Sequence, residues 1–314
     1  MDSVTNSYNE VLSELLRAEV KTWHAPDALL VACTWRKLEV LELLLKSLYS
    51  KGDPEPTMEK VFSLPNLNDT VFELLLNYCG PTPKRFRQAC KAGSSVAVDR
   101  IVRLGDFDIN GEDEQTGEYP LYIAASNLHA DVVNVLVEHG ADVQVKSSKV
   151  PLPLLAALHA CVVPLLKKSQ SQKVKEWSIT IGRPISPYFE HHAQPSISMR
   201  RIIECERIVH LLLENGADAE GGIAGFGKPL HLACLIGSKS MVRELLNHGA
   251  DVNSLLECFD QTLWNDLGRD HPIIMEVLVE YGVDVQHVFE PLRERSLERL
   301  DMAAYDVFDE ISSG

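Results

Sequence analysis

Apolar residues recur at helical spacing in two short runs between residues 228 and 253, which form the clearest unit in the chain. Pro229 opens the first run, and proline suits the first position of a helix. Gly237 ends this run, and a second apolar face follows at Met241, Val242, Leu245 and Leu246. Gly249 follows where a helix C-terminus favours a left-handed residue. Two helices this short cannot bury their apolar faces alone, so the pattern predicts a helix pair that packs against similar neighbours.

Related units lie about 33 residues away along the chain. The closing motif of each clear unit is a glycine followed by a small residue and an aspartate: Gly140-Ala141-Asp142, Gly216-Ala217-Asp218, Gly249-Ala250-Asp251 and Gly282-Val283-Asp284. The helix start Pro229-Leu230-His231-Leu232-Ala233 has a close counterpart at Pro120-Leu121-Tyr122-Ile123-Ala124-Ala125. This period and this helix start resemble the ankyrin-repeat family, which implies an all-α solenoid of helix-turn-helix units.

The resemblance implies about seven units over residues 25–290, with capping helices at 1–24 and 291–314. The clear parts are residues 116–148, 201–220 as a second half, 225–257 and 258–290. The glycine-rich turn before Pro229 and the broken fifth unit are similar to ankyrin arrays of filamentous-fungal proteins.

The period fails between Gly140 and Gly216, which are 76 residues apart. This distance equals two repeats plus ten residues, or one repeat plus an insertion of 43. We favour a fifth unit split by a long, basic, Ser- and Pro-rich loop insertion at about 169–196, because loops tolerate insertions.

Composition narrows the function classes. A net charge of −15 and a pI near 5.2 argue against a nucleic-acid partner, since nucleic-acid binding rests on phosphate neutralisation. The first ten residues lack the basic and apolar regions of a signal peptide, and the apolar run 154–166 is too short to span a bilayer. We therefore predict a monomer that is cytoplasmic or nuclear, not secreted, and that has no membrane partner.

The cysteines indicate packing rather than chemistry. Cys33, Cys90 and Cys234 each follow an alanine at the same repeat position, and no C-x-x-C pair exists among the seven cysteines. A helix–helix contact favours a small apolar residue there, and free cysteine is among the most often buried types. The prediction is structural thiols, with no metal ligands and no disulfides.

Candidate catalytic motifs are weak. Residues 222–228 fit G-x-x-x-x-G-K, but Pro229 stands where a phosphate-binding loop needs Ser or Thr. His191 and His192 have no third ligand at a recognisable spacing, so a surface pair is favoured over a metal site. We predict no enzyme activity, no cofactor and no metal. The family resemblance gives His231 the role of a hydrogen-bonding group that ties adjacent units.

Charge is unevenly distributed. Residues 144–201 hold nine basic and two acidic side chains, a net charge of +7, whereas the turn 106–118 is the densest acidic segment. Two interpretations stay open. In the first, both segments are solvated loops. In the second, the basic segment folds back on the acidic turn or forms a bipolar docking surface with it.

In the ankyrin family, turn tips and the exposed face of each first helix usually contact the partner. Carried over by position, this implies partner-binding roles for Trp35, Phe107, Asp108, Glu112, Asn127, Gln144, Phe226, Leu235, Ile236 and Asn253, and the charge pattern adds Lys167, Lys168, Lys173 and Lys175. Trp35 and Phe226 are the expected hot spots, since exposed aromatic residues dominate binding energies, although packing against a neighbouring unit is the alternative. Core roles are expected for Ala124, Ala233, Leu245 and Leu246.

The resulting prediction is a non-catalytic protein-interaction module that acts as an adaptor, an inhibitor or a regulatory subunit for an unknown protein partner. One alternative is the substrate-recognition subunit of a ubiquitin-ligase complex, but neither end shows a convincing box helix. The other is an enzyme with a site hidden in residues 150–200.

Overall fold

Twelve helices make up most of the part of the chain that the computed structural model describes, which is residues 25–34, 37–51, 58, 61–62, 67, 69–105, 108–145, 147, 149–166, 197–222, 227–255 and 272–283. In chain order they are α1 Ala25–Thr34, α2 Leu38–Lys51, α3 Asp69–Cys79, α4 Pro83–Ala92, α5 Ser95–Leu104, α6 Pro120–Ser126, α7 Ala130–Glu138, α8 Pro153–Leu166, α9 Ile197–Glu214, α10 Pro229–Ile236, α11 Lys239–Asn247 and α12 Pro272–Glu280. The fold is all-α, as predicted.

The helices form two layers. One layer contains the second helix of each helix-turn-helix unit, which we call the second helices. Along this layer each helix contacts the next, in the order α2, α3, α5, α7, α9, α11 and α12. The other layer contains the first helices of the units. In this layer α4, α6, α8 and α10 each contact the next. Each first helix also contacts the second helix of its own pair, so the core lies between the two layers. This neighbour-to-neighbour packing is that of a repeat solenoid.

Local sequence explains the helix pair α10 and α11. Pro229 is the first residue of α10, and Gly237 ends it at φ +77°, a left-handed conformation that glycine adopts without strain. Ser238 then caps α11, because its side-chain oxygen accepts a hydrogen bond from Met241 N at 3.2 Å. The same hydroxyl donates to Glu206 Oε1 of α9 at 2.5 Å, which ties this pair to the preceding one.

Small residues and leucines fill the core as predicted. Ala124 and Ala233 are fully buried, and so are Cys90 and Cys234, which follow alanines in α4 and α10. Cys33 is 4% exposed, and burial raises the pKa of its thiol to about 12. The other expected core residues, Leu245 and Leu246, are buried as well. All six described cysteines are free thiols.

Helices α8 and α9 together occupy the place of one pair. Helix α8 lies between the first helices α6 and α10, whereas α9 lies between the second helices α7 and α11. Their start also keeps the period, since Pro153 follows Pro120 by 33 residues. We infer that α8 and α9 are one unit and that the extra residues of the chain fall between them. Helix α9 begins at Ile197, four residues before the expected Arg201.

Several predicted segments lie outside the described residues. These are the capping helices at 1–24 and 291–314, the insertion 169–196 and the first half of the unit 258–290. Among the helices that are described, none combines the length and the apolar character needed to cross a bilayer.

Candidate interaction surface

The turns that close successive units share one local structure. In each, the side chain of an exposed aspartate accepts a hydrogen bond from the backbone N–H two residues later. The four pairs are Asp108 with Asn110 at 2.9 Å, Asp142 with Gln144 at 2.8 Å, Asp218 with Glu220 at 2.9 Å, and Asp251 with Asn253 at 2.9 Å. Such Asx turns fix the backbone of each tip locally.

Side chains also connect one tip to the next. Asn110 Oδ1 accepts a hydrogen bond from Asp142 N at 2.9 Å, and Gln144 Nε2 donates to the carbonyl oxygen of Gly216 at 3.0 Å. Glu220 Oε1 accepts from Asp251 N at 2.8 Å. The four tips therefore form one continuous row, which we call the tip row (residues 108–118, 142–145, 216–220 and 251–253). A pre-formed row of this kind loses little conformational freedom when it binds.

Asp113 organises the acidic end of the tip row. Its carboxylate accepts hydrogen bonds from Gln115 N and Thr116 N and forms an ion pair with Arg87 of α4 at 2.8 Å. The bond from Thr116, followed by the other contacts, holds the pKa of the Asp113 carboxyl below its usual range. The acidic turn is thus a built structure that is anchored to the first-helix layer.

The next tip supports this turn from the other side. Lys149 Nζ donates to the carbonyl oxygens of Glu114 and Gln115 at 2.7 and 3.3 Å, and Ser147 Oγ donates to Glu112 Oε1 at 2.9 Å. Lys149 belongs to the basic stretch 144–201, so one of its members contacts the acidic turn. The exposed carboxylates of Asp108 and Glu114 still face solvent.

The structure brings four of the predicted binding residues into the tip row: Asp108, Glu112, Gln144 and Asn253. Asn127 lies at the end of α6, where its side-chain amide donates to the carbonyl oxygen of Ile123 at 2.8 Å. Leu235 is half-buried, but Ile236 is only 5% exposed, so its side chain offers little surface to a partner. Trp35, Phe107, Phe226, Lys167, Lys168, Lys173 and Lys175 lie outside the described residues.

His231 and Lys228 have structural contacts. His231 is fully buried, and its Nε2 lies 3.2 Å from the carbonyl oxygen of Ser254, just after the closing turn of its own unit. Burial lowers the pKa of this imidazole to about 4. Lys228, the lysine of the G-x-x-x-x-G-K match, forms an ion pair with Glu220 Oε2 at 2.6 Å. The Lys228 contact joins the α10 unit to the preceding tip, whereas the His231 contact lies within the unit.

Two supporting residues were not identified from the sequence: Arg87 and Glu220. The spacing of the turn aspartates held a usable signal, because Asp218 and Asp251 are 33 residues apart and each closes a Gly-Ala-Asp motif. Arg87 carried no such signal, since it contacts Asp113 only through the stacking of units.

The comparison with known families agrees with this architecture. A family model for ankyrin repeats, in three copies, matches residues 64–175, and a model for a single ankyrin repeat matches residues 229–255. The first match includes helices α3 to α8, and the second includes α10 and α11.

Proposed function

Because the chain belongs to the ankyrin-repeat family, whose repeats are generally protein–protein interaction modules, we propose that it is a non-catalytic adaptor, inhibitor or regulatory subunit. Domains of this family are typically non-catalytic. The partner that we propose is a protein with a basic segment, which docks along the tip row. We further propose that the chain acts as a monomer in the cytoplasm or the nucleus, where its buried thiols stay reduced.

The continuous acidic tip row is the observation that carries this proposal. Four aspartates stand exposed at equivalent positions, and the turn 108–118 adds Glu112 and Glu114 as exposed carboxylates. The nearest described cations are engaged, since Arg87 pairs with Asp113 and Lys149 donates to backbone carbonyl oxygens. The surface therefore presents a negative field, in keeping with the net charge of −15.

The geometry of the row supports recognition as well as attraction. Each tip is fixed by its own Asx turn and by a bond to the next tip, so a partner meets a surface that is already ordered. Exposed carboxylates at the edge of an interface mainly speed the encounter and select partners of opposite charge. A basic peptide or loop satisfies both conditions.

Charge reversal in the tip row tests the proposal. Immobilised full-length chain is compared with the variant Glu112→Lys/Glu114→Lys for the proteins that it retains from a cell extract, followed by affinity measurement on the purified partner. We expect this variant to bind the partner about tenfold more weakly, and wild-type affinity to fall as salt rises. The control variant Glu138→Lys/Glu276→Lys makes the same charge change on the second-helix layer, where both side chains are exposed.

Equal retention by the two variants would remove the tip row from consideration. A third variant, which lacks residues 169–196, separates the remaining possibilities. Loss of the partner with the deletion alone would assign recognition to the basic insertion. Recovery of cullin-complex subunits would instead support the ubiquitin-ligase role.

A further inference from the structure

Four side chains with metal-ligating atoms meet on the outer surface between the second helices α9 and α11. His210 and Glu214 are separated by one helical turn on α9, and Glu244 and His248 are separated by one turn at the end of α11. Residues four apart share a helix face, so each pair presents both groups in the same direction. The two faces are adjacent because α9 packs against α11.

The distances within this group suit a single small ion. Ligand atoms of His210, Glu214 and Glu244 all lie within 4.8 Å of one another, and His210 Nδ1 is 2.6 Å from Glu244 Oε1. A tetrahedral zinc ion holds nitrogen and oxygen ligands at about 2 Å and hence about 3.3 Å from one another. The widest separation in this group therefore closes by up to about 1.5 Å when one ion binds all three.

His248 lies next to these three groups. Its Nδ1–H donates to the carbonyl oxygen of Glu244 at 2.9 Å, which leaves Nε2 as the basic nitrogen. That nitrogen lies 3.7 Å from Glu214 Oε1. A backbone carbonyl that orients a ligating imidazole in this way is a common outer-sphere partner in metal sites.

The repeats of the chain supply an internal comparison. Relative to the closing glycine of each unit, the same four positions at other interfaces carry different residues. They are Asp99, Arg103, Val135 and His139 between α5 and α7; Asn134, Glu138, Leu211 and Asn215 between α7 and α9; and Arg243, Asn247, Val277 and Tyr281 between α11 and α12. Among these four described interfaces, three or more ligating side chains without a basic residue occur between α9 and α11 alone.

The local charge also favours a divalent cation. The group holds the two carboxylates of Glu214 and Glu244 and no lysine or arginine. The nearest arginines are engaged elsewhere: Arg207 pairs with Asp131 at 2.7 Å, and Arg243 pairs with Glu280 at 2.5 Å. The group thus differs from the two neighbouring interfaces, α7 with α9 and α11 with α12, where an arginine pairs with a carboxylate.

We propose that His210, Glu214, Glu244 and His248 form a zinc site that clamps α9 to α11, so that the ion joins the split unit to the regular unit that follows it. Mixed imidazole and carboxylate ligands suit Zn²⁺ better than Mg²⁺ or Ca²⁺, which prefer oxygen ligands alone. The role is structural and does not depend on the tip row or on its partner.

Calorimetric titration of the untagged full-length chain with Zn²⁺, in a chelator-free buffer, tests the site. We expect one Zn²⁺ per chain, a higher melting temperature with the ion bound, and no comparable binding of Mg²⁺. His210→Ala and Glu244→Gln should each weaken Zn²⁺ binding by at least about tenfold, a loss seen even for outer-sphere partners of metal sites. Circular dichroism checks that both variants fold, which we expect because both side chains are at least partly exposed.

His139→Ala is the matched control, because His139 occupies the position of His248 and pairs with Asp99 at 2.9 Å, whereas Arg103 stands where the zinc group has Glu214. This variant should bind Zn²⁺ like the wild type. Zinc affinity that is unchanged in His210→Ala and Glu244→Gln, or that falls equally in His139→Ala, would overturn the proposal and indicate adventitious binding by surface histidines. A titration without detectable Zn²⁺ binding would overturn it as well.

Discussion

The regular pair α10 and α11 and the split pair α8 and α9 occupy equivalent positions in the stack, but their helices are connected differently. In the regular pair, helices of 8 and 9 residues are joined by the turn at Gly237 and Ser238. In the split pair, helices of 14 and 18 residues are separated by residues 167–196. Both pairs nevertheless contact the first helices on one side and the second helices on the other. The position of a helix in the stack is thus set by its packed face, and a tight turn is dispensable.

The contacts inside the split pair show what replaces the turn. Cys205 and Ala157 are fully buried where α9 meets α8, and the Cys205 thiol lies 3.5 Å from the carbonyl oxygen of Ala157. Arg201 donates to the carbonyl oxygen of Ala160 at 2.8 Å. These contacts join residues more than forty positions apart in sequence, so they stabilise the pair only after α9 has returned to α8.

The largest expected effect comes from a leucine that α7, α9, α11 and α12 each bury four positions before the closing glycine. Leu212 in the split pair and Leu245 in the regular pair are both fully buried. We expect Leu212→Ala and Leu245→Ala each to lower the free energy of unfolding by about 2–5 kcal/mol, since both create a cavity in a packed core. Urea denaturation followed by circular dichroism measures this loss.

Leu136 and Leu278 occupy the same position in α7 and α12 and are also fully buried, so their alanine variants extend the series. The exposed Leu104 provides the control, because Leu104→Ala should change stability little. An unchanged melting temperature for Leu245→Ala would contradict the register. A loss at Leu245 without one at Leu212 would contradict the equivalence of the two pairs.

The buried faces were predictable because they depend on local sequence. The repeat pattern places Ala124 and Ala233 at equivalent positions of two first helices and Leu245 on the apolar face of a second helix, and all three are buried. The spacing from Pro120 to Pro153 carried the same signal for α8, although the weak turn signals after it obscured the unit. Periodicity predicts burial here because apolar residues at helical spacing mark the helix face that packs against the neighbouring helix.

The surface contacts were much less predictable. His210 and Glu244 are 34 residues apart, and their meeting depends on the angle at which α9 packs on α11 rather than on either helix alone. Ile236 was expected to contact a partner as a helix-end residue, yet it is buried beside the left-handed turn at Gly237. Periodicity assigns residues to a face, but the exposure at the end of a helix depends on the turn that follows.

An intermediate effect is expected from pH, and it distinguishes the two pairs. The regular pair has His231 at the third position of its first helix, whereas Leu155 holds this position in the split pair. Burial lowers the pKa of His231 from 6.5 to about 4, so the fold favours the neutral ring. This contribution is fully present above pH 6.5 and is lost as the pH falls towards 4, by up to about 3 kcal/mol.

The variant His231→Gln removes the titration. We expect the free energy of unfolding to decline less steeply in this variant than in the wild type between pH 7 and pH 5, whatever the stability of the variant at pH 7. Equal slopes would mean that other groups cause the decline. Leu155→Gln is a poor control because it buries a new amide, so His248→Gln, at an exposed ring, serves instead, with a chelator present in all samples to exclude bound zinc.

The smallest effect is expected from the segment that separates α8 and α9. If packed faces alone set the register, replacing residues 169–196 by a Gly/Ser linker of roughly half the length should change the free energy of unfolding by less than about 1 kcal/mol, because halving a flexible loop alters its closure entropy by only about 0.6 kcal/mol. The change is measured by urea denaturation beside Leu212→Ala. A loss as large as that of the leucine variant would show that residues 169–196 contribute packing of their own, and the split pair would then need its insertion as the regular pair needs its turn.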